Sequence, residues 1–410
     1  MSKRLLVVNV YFAPTSFGGA TIVAEEMAQH LAEQHGWTVS GFTSMRAAGL
    51  PDFSIRRYRA RSTDVVAINL PGGFTYQEQY LSPRVKTRFC EVLDAFEPDT
   101  VHVHCVQTLG ADLLDAIVER GIPFAVTLHD CWWLCDRQFM IDSHGRYCFQ
   151  EKISKDRCRF CVDDYIASEI RADYLIEQLN KADLLLFPSS FQRSLYIANG
   201  LPAERCVVNK NGVRPPRPGY RRRSAGGPPV FGFIGGPGAI KGGDIIVRAL
   251  RQLARTDVHL KVVDAAQNVG STWQSAEYWN VPCTVEHVPA YSQETIDEFF
   301  GSIDVLLFPS QWKESFGLTV REALLRDVWV IATDAGGVSE ALRDGENATV
   351  LPLDGQHRPL AEAIAACMER TDWADYRNPH KTSITTLDEQ AQELTRLLCR
   401  LAERSNASAT

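Results

Sequence analysis

The chain opens on a continuous apolar run, residues 5–10, broken only by Asn9, and the next stretch places Val23, Met27 and Leu31 at helical spacing. Short apolar runs bounded by turn residues read as strands buried on both faces, and a 3.6-residue period reads as a helix lying on them. By that rule strands are predicted at 5–10, 38–43, 100–104, 124–128 and 184–187, with helices at 21–33, 85–96, 110–120 and 167–181. The pattern stops at 214–229, a segment too rich in Pro, Gly and Arg for regular structure. It then restarts, with strands at 230–234, 259–263, 305–308 and 329–333 and helices at 243–254, 293–300, 316–325 and 360–369.

Strands alternating with helices imply parallel, doubly wound sheets. The predicted fold class is α/β, with two Rossmann-like domains facing each other across a cleft. Residues 1–213 form the first, 214–229 the linker and 230–380 the second. In segment 381–410 a final amphipathic helix, 387–401, packs back on the first domain and ends in a frayed tail from 403. Ligands of such sheets bind beyond the carboxyl ends of the strands, so the chemistry is expected on strand-to-helix turns.

Composition narrows the class. The 410 residues are 45% hydrophobic, enough for two cores, and the net charge of -7 argues against a general nucleic-acid binder. No run approaches the ~20 apolar residues of a membrane span. The expected location is cytoplasmic, with at most peripheral contact with the inner membrane face. Arg56–Arg61 and Arg221–Arg223 read as a solvated strand or loop and a soluble hinge.

Three turns carry candidate chemistry. Gly18-Gly19 follows the first strand, where paired glycines let backbone N–H groups approach an anion at a helix N-terminus. Gly235-Gly236-Pro-Gly-Ala-Ile-Lys241-Gly242 suits a phosphate, yet lacks the Ser or Thr of a magnesium-binding P-loop after its lysine. In Glu314-Ser-Phe-Gly-Leu-Thr-Val-Arg-Glu322, two carboxylates flank a helix start whose Gly317, Leu318 and Thr319 amides could hold a diphosphate. His129-Asp130 ends a further strand. Five cysteines fall within residues 131–161, and Cys135, Cys148, Cys158 and Cys161 could supply four thiolates to a structural zinc; an iron–sulfur cluster or plain thiols are the alternatives.

The ordered set of Gly18-Gly19, Thr127-Leu-His129-Asp, Asn211-Gly-Val, Lys241-Gly242, Glu314-x7-Glu322 with Ser-Phe-Gly-Leu between, and Ala335-Gly-Gly-Val-Ser-Glu340 resembles glycosyltransferase family 4 over nearly the whole chain. The resemblance implies a GT-B fold and a retaining, metal-independent sugar transfer from a UDP-, GDP- or ADP-type donor to a saccharide, lipid-linked or small-molecule hydroxyl. It implies Glu314 on the donor sugar, Glu322 on the ribose, Lys241 on the diphosphate, Gly18 and Gly19 near the phosphates and His129 near the reacting carbon. Gly236, Phe316, Gly317, Leu318 and Thr319 would complete the donor site. Gly236 stands where family members often carry Arg, and a bacterial subset has a similar Cys insertion. The rival readings are a nucleotide-sugar epimerase on the same fold and a zinc-dependent scaffold with a degenerate pocket.

Overall fold

The computed structural model describes residues 2–16, 18–223, 227–236, 238–269, 271–272 and 277–408. The chain forms two compact units. The first comprises Met1–Phe139, Phe149–Gly212 and Leu387–Thr410; the second comprises Met140–Cys148 and Val213–Thr386.

The sheet of the first unit contains β1 (Arg4–Val8), β2 (Thr38–Met45), β3 (Ile55–Ala60), β4 (Thr63–Asn69), β5 (Thr100–Val103), β6 (Phe124–Thr127), β7 (Leu184–Phe187) and β8 (Cys206–Val208). Their order is β3-β4-β2-β1-β5-β6-β7-β8. All pair in parallel except β3, which runs antiparallel to β4 at the edge. The sheet of the second unit contains β9 (Val230–Phe233), β10 (His259–Val263), β11 (Thr284–Val288), β12 (Val305–Phe308), β13 (Trp329–Thr333) and β14 (Ala348–Leu351). It is parallel throughout, ordered β11-β10-β9-β12-β13-β14.

Central strands such as Val305–Phe308 and Trp329–Thr333 are buried at every position, because helices cover both sheet faces. The Gly243–Leu253 helix buries Ile245, Ile246, Val247, Ala249 and Leu250 in one core with Phe231, Leu260 and Ile364. Full burial of each large aliphatic side chain there contributes about 1.5–3 kcal/mol. Strand order reverses between β1 and β5 and again between β9 and β12. These switch points open a crevice at the carboxyl ends of the strands, and the Gly-rich turn and the Glu314 loop follow β9 and β12.

The Arg-rich segment after Gly212, expected as a linker, clusters with the second unit and is tied to it. Arg217 donates from its backbone N (2.9 Å) and Nε (3.3 Å) to Asp297. The Arg223 amide donates to Gly301 (2.8 Å), and its guanidinium lies 3.4 Å from Asp304. A segment without ladder partners satisfies its polar groups on the acidic side chains nearby. The last helix also differs from expectation. It runs Leu387–Ser408, through the predicted frayed tail, after burying Ala391, Leu394, Leu398 and Leu401. It belongs to the first unit, where Glu393 accepts from Asn209 (2.8 Å) and Gln390 from the Gly212 amide (2.7 Å).

Candidate active site

In the second unit the turn after β9 folds into a short 3-10 turn, Ala239–Lys241, and leaves it at Gly242 with φ +79°. A Cβ at Gly242 would lie 2.0 Å from the Pro309 carbonyl oxygen, so only glycine lets the two loops approach this closely. The Gln311 amide donates to the Ile240 carbonyl (2.7 Å) across the same junction.

That approach delivers Lys241 to Glu314. Lys241 Nζ donates to Glu314 Oε1 (2.8 Å), as does Ser310 Oγ (2.8 Å). The ammonium also sits 5.4 Å from the centroid of the Trp312 ring. Glu314 is 8% exposed. Its backbone is tied to the next loop, with its N donating to Ala335 (3.0 Å) and its carbonyl accepting from Gly337 (2.8 Å). A buried carboxylate holding two donors on one oxygen is oriented before any ligand arrives.

The Leu318–Leu325 helix begins at Gly317, φ +80°, and no side chain caps its first turn. Its leading amides are therefore available to an anion. Arg321, in the first turn, is fully enclosed. It donates to the carbonyls of Phe316 and Gly337 (2.9 Å to the latter), and its guanidinium lies 3.6 Å from the Phe316 ring centroid. Burial pushes its pKa down to about 9, with Glu340 acting in the opposite direction. Arg321 thus fastens the Phe316 loop to the Gly337 loop. Glu322 is buried one turn into the helix and accepts from the Tyr291 hydroxyl (3.2 Å). Burial raises its pKa, against Arg326 and the Tyr291 hydrogen bond.

The structure therefore brings Lys241 and Glu314 into contact, places Gly236 on the same turn (φ +63°), and sets Phe316, Gly317, Leu318, Thr319 and Glu322 on the adjoining loop and helix. Ser310, Tyr291 and Arg321 were missed from the sequence. The i, i+4 spacing of Ser310 and Glu314 was the one available signal.

In the first unit, Gly18 has φ +83° and Gly19 starts the Gly19–Gln34 helix, again with no side-chain cap. His129 follows β6 and is buried. Its Nε2 lies 2.9 Å from His104 Nδ1, the rings nearly parallel. Burial pushes the His129 pKa down to about 4, so the imidazole is neutral at pH 7. Asp130 serves its own loop: its carboxylate accepts from the Trp132 amide (2.8 Å) and Gln138 Nε2 (2.6 Å). Its carbonyl accepts from Gln192 and Tyr196 (both 2.7 Å).

Cys135, Cys148, Cys158 and Cys161 are each half-buried, and none of the eleven cysteines forms a disulfide. Four thiols suit zinc in kind. Among the described residues, however, no three or more His, Cys, Asp or Glu side chains are gathered to hold a metal.

The chain matches the model of Glycosyltransferase Family 4 over residues 17–217 and that of Glycosyl transferases group 1 over 221–381. Together the two models span most of the chain, which is a family 4-like glycosyltransferase. Among curated relatives, a D-inositol 3-phosphate glycosyltransferase of Nocardia farcinica is 32% identical over 39% of this chain and 35% of its own length. A GDP-mannose-dependent alpha-mannosyltransferase of Mycolicibacterium smegmatis is 26% identical over 68% of this chain and 67% of its own. This family 4-like chain thus spans about a third of the length of the first relatives it matches. Sucrose-phosphate synthase from Thermosynechococcus elongatus superposes with a TM-score of 0.71 at 17% identity, covering 97% of this chain and 99% of that one. An Anabaena protein in complex with UDP and glucose gives 0.65 at 19% identity, covering 96% and 99%. The glycosyltransferase has the GT-B fold. No helix among its described residues is long and apolar enough to cross a membrane.

Proposed function

We propose that this glycosyltransferase moves a sugar, with retention, from a nucleoside-diphosphate sugar to a hydroxyl of a glycan, lipid-linked saccharide or natural product. The observation that carries the reading is the Lys241–Glu314–Ser310 cluster beside an uncapped helix start, at the switch point of a parallel sheet. It offers a cation and free amides for a departing diphosphate, with an oriented carboxylate for sugar hydroxyls. Glu322 suits ribose hydroxyls, His129 would contact the sugar near the reacting carbon, and the Gly18-Gly19 turn would approach the phosphates.

In the reaction, the bond from the anomeric carbon to the phosphate oxygen breaks and its electrons stay on the phosphate. The acceptor oxygen bonds to the same face of that carbon, and its proton passes to the departing phosphate oxygen. Such a step needs leaving-group stabilisation more than a base, and preorganised donors in a dry site provide it. Lys241 and the helix amides fill that role. We infer a cytoplasmic location, at most peripheral to the inner membrane face.

A thermal-shift panel of UDP, GDP, ADP and dTDP with their common sugars tests the donor. Ligand at 100 times Kd adds about 2.7 kcal/mol. One nucleotide sugar is expected to raise Tm more than its bare nucleotide, and Glu314→Ala to abolish that difference. No shift with any donor at saturation would move the reading to a scaffold, and an inverted anomer in the product would end the retaining mechanism. For the Cys loop we retain structural zinc as a proposal on its four thiols. Elemental analysis near one zinc per chain supports it, and a folded, metal-free chain removes it.

Glu322 yields a further expectation. Its folded pKa lies above the unfolded value, so the native state holds the proton more tightly and stability falls as pH rises from about 4.5 through the folded pKa. Glu322→Gln keeps an acceptor for Tyr291 and removes that cost. The variant is expected to gain Tm relative to wild type at pH 8 and not at pH 4, while binding the nucleotide donor more weakly. An equal shift at both pH values would show that ionisation is not the source.

A further inference from the structure

Three imidazoles, His102, His104 and His129, are buried together in the first unit. His102 ends up on the same face as His104 by the two-residue period of β5, and Thr127 and His129 follow by the same period from β6, the parallel neighbour of β5. The His102 and His104 ring centroids are 4.0 Å apart, and those of His104 and His129 are 5.2 Å apart. His102 Nε2 is engaged by Thr127 Oγ1 at 2.7 Å. His104 Nδ1 meets His129 Nε2 at 2.9 Å, while His104 Nε2 is enclosed without a partner.

That orphan nitrogen decides where the protons sit. A hydrogen bond between two neutral rings needs one N–H and one lone pair. If His129 donated from Nε2, His104 would accept at Nδ1 and carry its proton on Nε2, burying an N–H with nothing to receive it. If His104 donates from Nδ1, its buried Nε2 is a bare lone pair. Among main-chain groups an orphaned buried N–H is rarer than an under-satisfied acceptor, and we apply the same preference to the ring nitrogens. Burial pushes all three rings toward neutrality, His102 down to about 3, so a charged ring does not rescue the first arrangement.

We propose that His104 is a positioning residue that holds His129 in the tautomer protonated on Nδ1, so that His129 offers its ligand a donor from that nitrogen. The tautomer stands on the His104–His129 contact and the orphaned His104 Nε2, with burial keeping the rings neutral; its use on the donor sugar rests on the function proposed above. A neutral donor there suits a sugar hydroxyl oxygen in its acceptor role.

Long-range proton–nitrogen spectra of the full chain, labelled with 15N-histidine and assigned with His129→Gln, read the tautomer directly. The wild type is expected to show His129 protonated on Nδ1. His104→Asn keeps an N–H where Nδ1 stood and is expected to preserve that signature. His104→Asp places an acceptor there and is expected to move the His129 proton to Nε2. Sugar transfer should follow, with kcat at least 10-fold lower in His104→Asp, KM for the nucleotide sugar changed less, and kcat rescued in His104→Asn. A wild-type His129 protonated on Nε2 overturns the proposal, whether or not the variants fold. So does an unchanged tautomer in folded His104→Asp. If the tautomer flips and transfer is unaffected, the positioning inference holds, and the role of His129 on the sugar is what falls.

Discussion

Lys241→Ala is expected to lower kcat/KM for sugar transfer by about 10²–10³-fold, the cost of removing one preorganised group from a developing negative charge. Two features concentrate the effect on this residue. Gly236 adds no second cation to the Gly-rich turn, which leaves Lys241 as the one basic residue of Gly235–Gly242. Arg321, the cation of the adjoining helix, is enclosed and spends its donors on backbone carbonyls. The substitution also strips Glu314 of a charge-assisted hydrogen bond at 2.8 Å and leaves its buried carboxylate on Ser310 alone. Glu314→Ala is accordingly expected to cost a similar factor. The double variant should fall less than about tenfold below the worse single one, because residues in contact couple and their losses do not add. Steady-state kinetics on the four proteins of the cycle check this. Full additivity would mean that the ion pair is a feature of the ligand-free chain with no part in the reaction. Lys241→Arg should not restore the rate, since a planar fork replaces a compact point charge on a turn too tight to adjust.

What the sequence made legible follows burial. The strands at 184–187, 259–263, 305–308 and 329–333 match their predicted bounds, because central parallel strands are apolar on both faces and read as unbroken runs. The strands missed include both edges of each sheet: β3 and β8 in one, β11 and β14 in the other. An edge strand has one neighbour and one solvated side, so Ile55–Ala60, with Arg56, Arg57 and Arg59, carries no such run. The same logic divides the site. Lys241, Glu314 and Glu322 stood out because chemistry-bearing side chains sat at fixed offsets on turns that followed legible strands. Tyr291 follows an edge strand that was not seen, so its approach to Glu322 was hidden too. Ser310, Arg321 and His104 matter through where their side chains end, a property of tertiary packing that one sequence does not encode locally. The partners of the Arg-rich linker were hidden for a related reason: its composition was right for a segment without ladder hydrogen bonds, but Asp297, Asp304 and Gly301, more than seventy positions away, supply its partners.

Gly242→Ala is expected to be the most destabilising single-methyl change in the second unit. The residue sits at φ +79°, where a side chain costs about 1 kcal/mol before any contact is counted. Its Cβ would then meet backbone: the Pro309 oxygen at 2.0 Å and the Pro309 carbon at 2.9 Å. Backbone cannot rotate away as the tip of a side chain can, so the Lys241 turn or the Pro309 loop has to move. Clash and strain together are expected to cost about 2–4 kcal/mol. At about 2–4 °C per kcal/mol for a unit of this size, Tm should fall by about 4–16 °C. Gly238→Ala is the matched control four residues earlier: φ there is -70°, and the nearest atom to a new Cβ is 3.9 Å away. It should shift Tm by no more than about 2 °C. The contrast also separates stability from function. Any Gly242→Ala protein that remains folded has moved Lys241 against Glu314, so its transfer rate should drop even at temperatures well below its midpoint. A folded Gly242→Ala variant with wild-type kinetics would mean that close approach of the two loops is not what positions the ion pair.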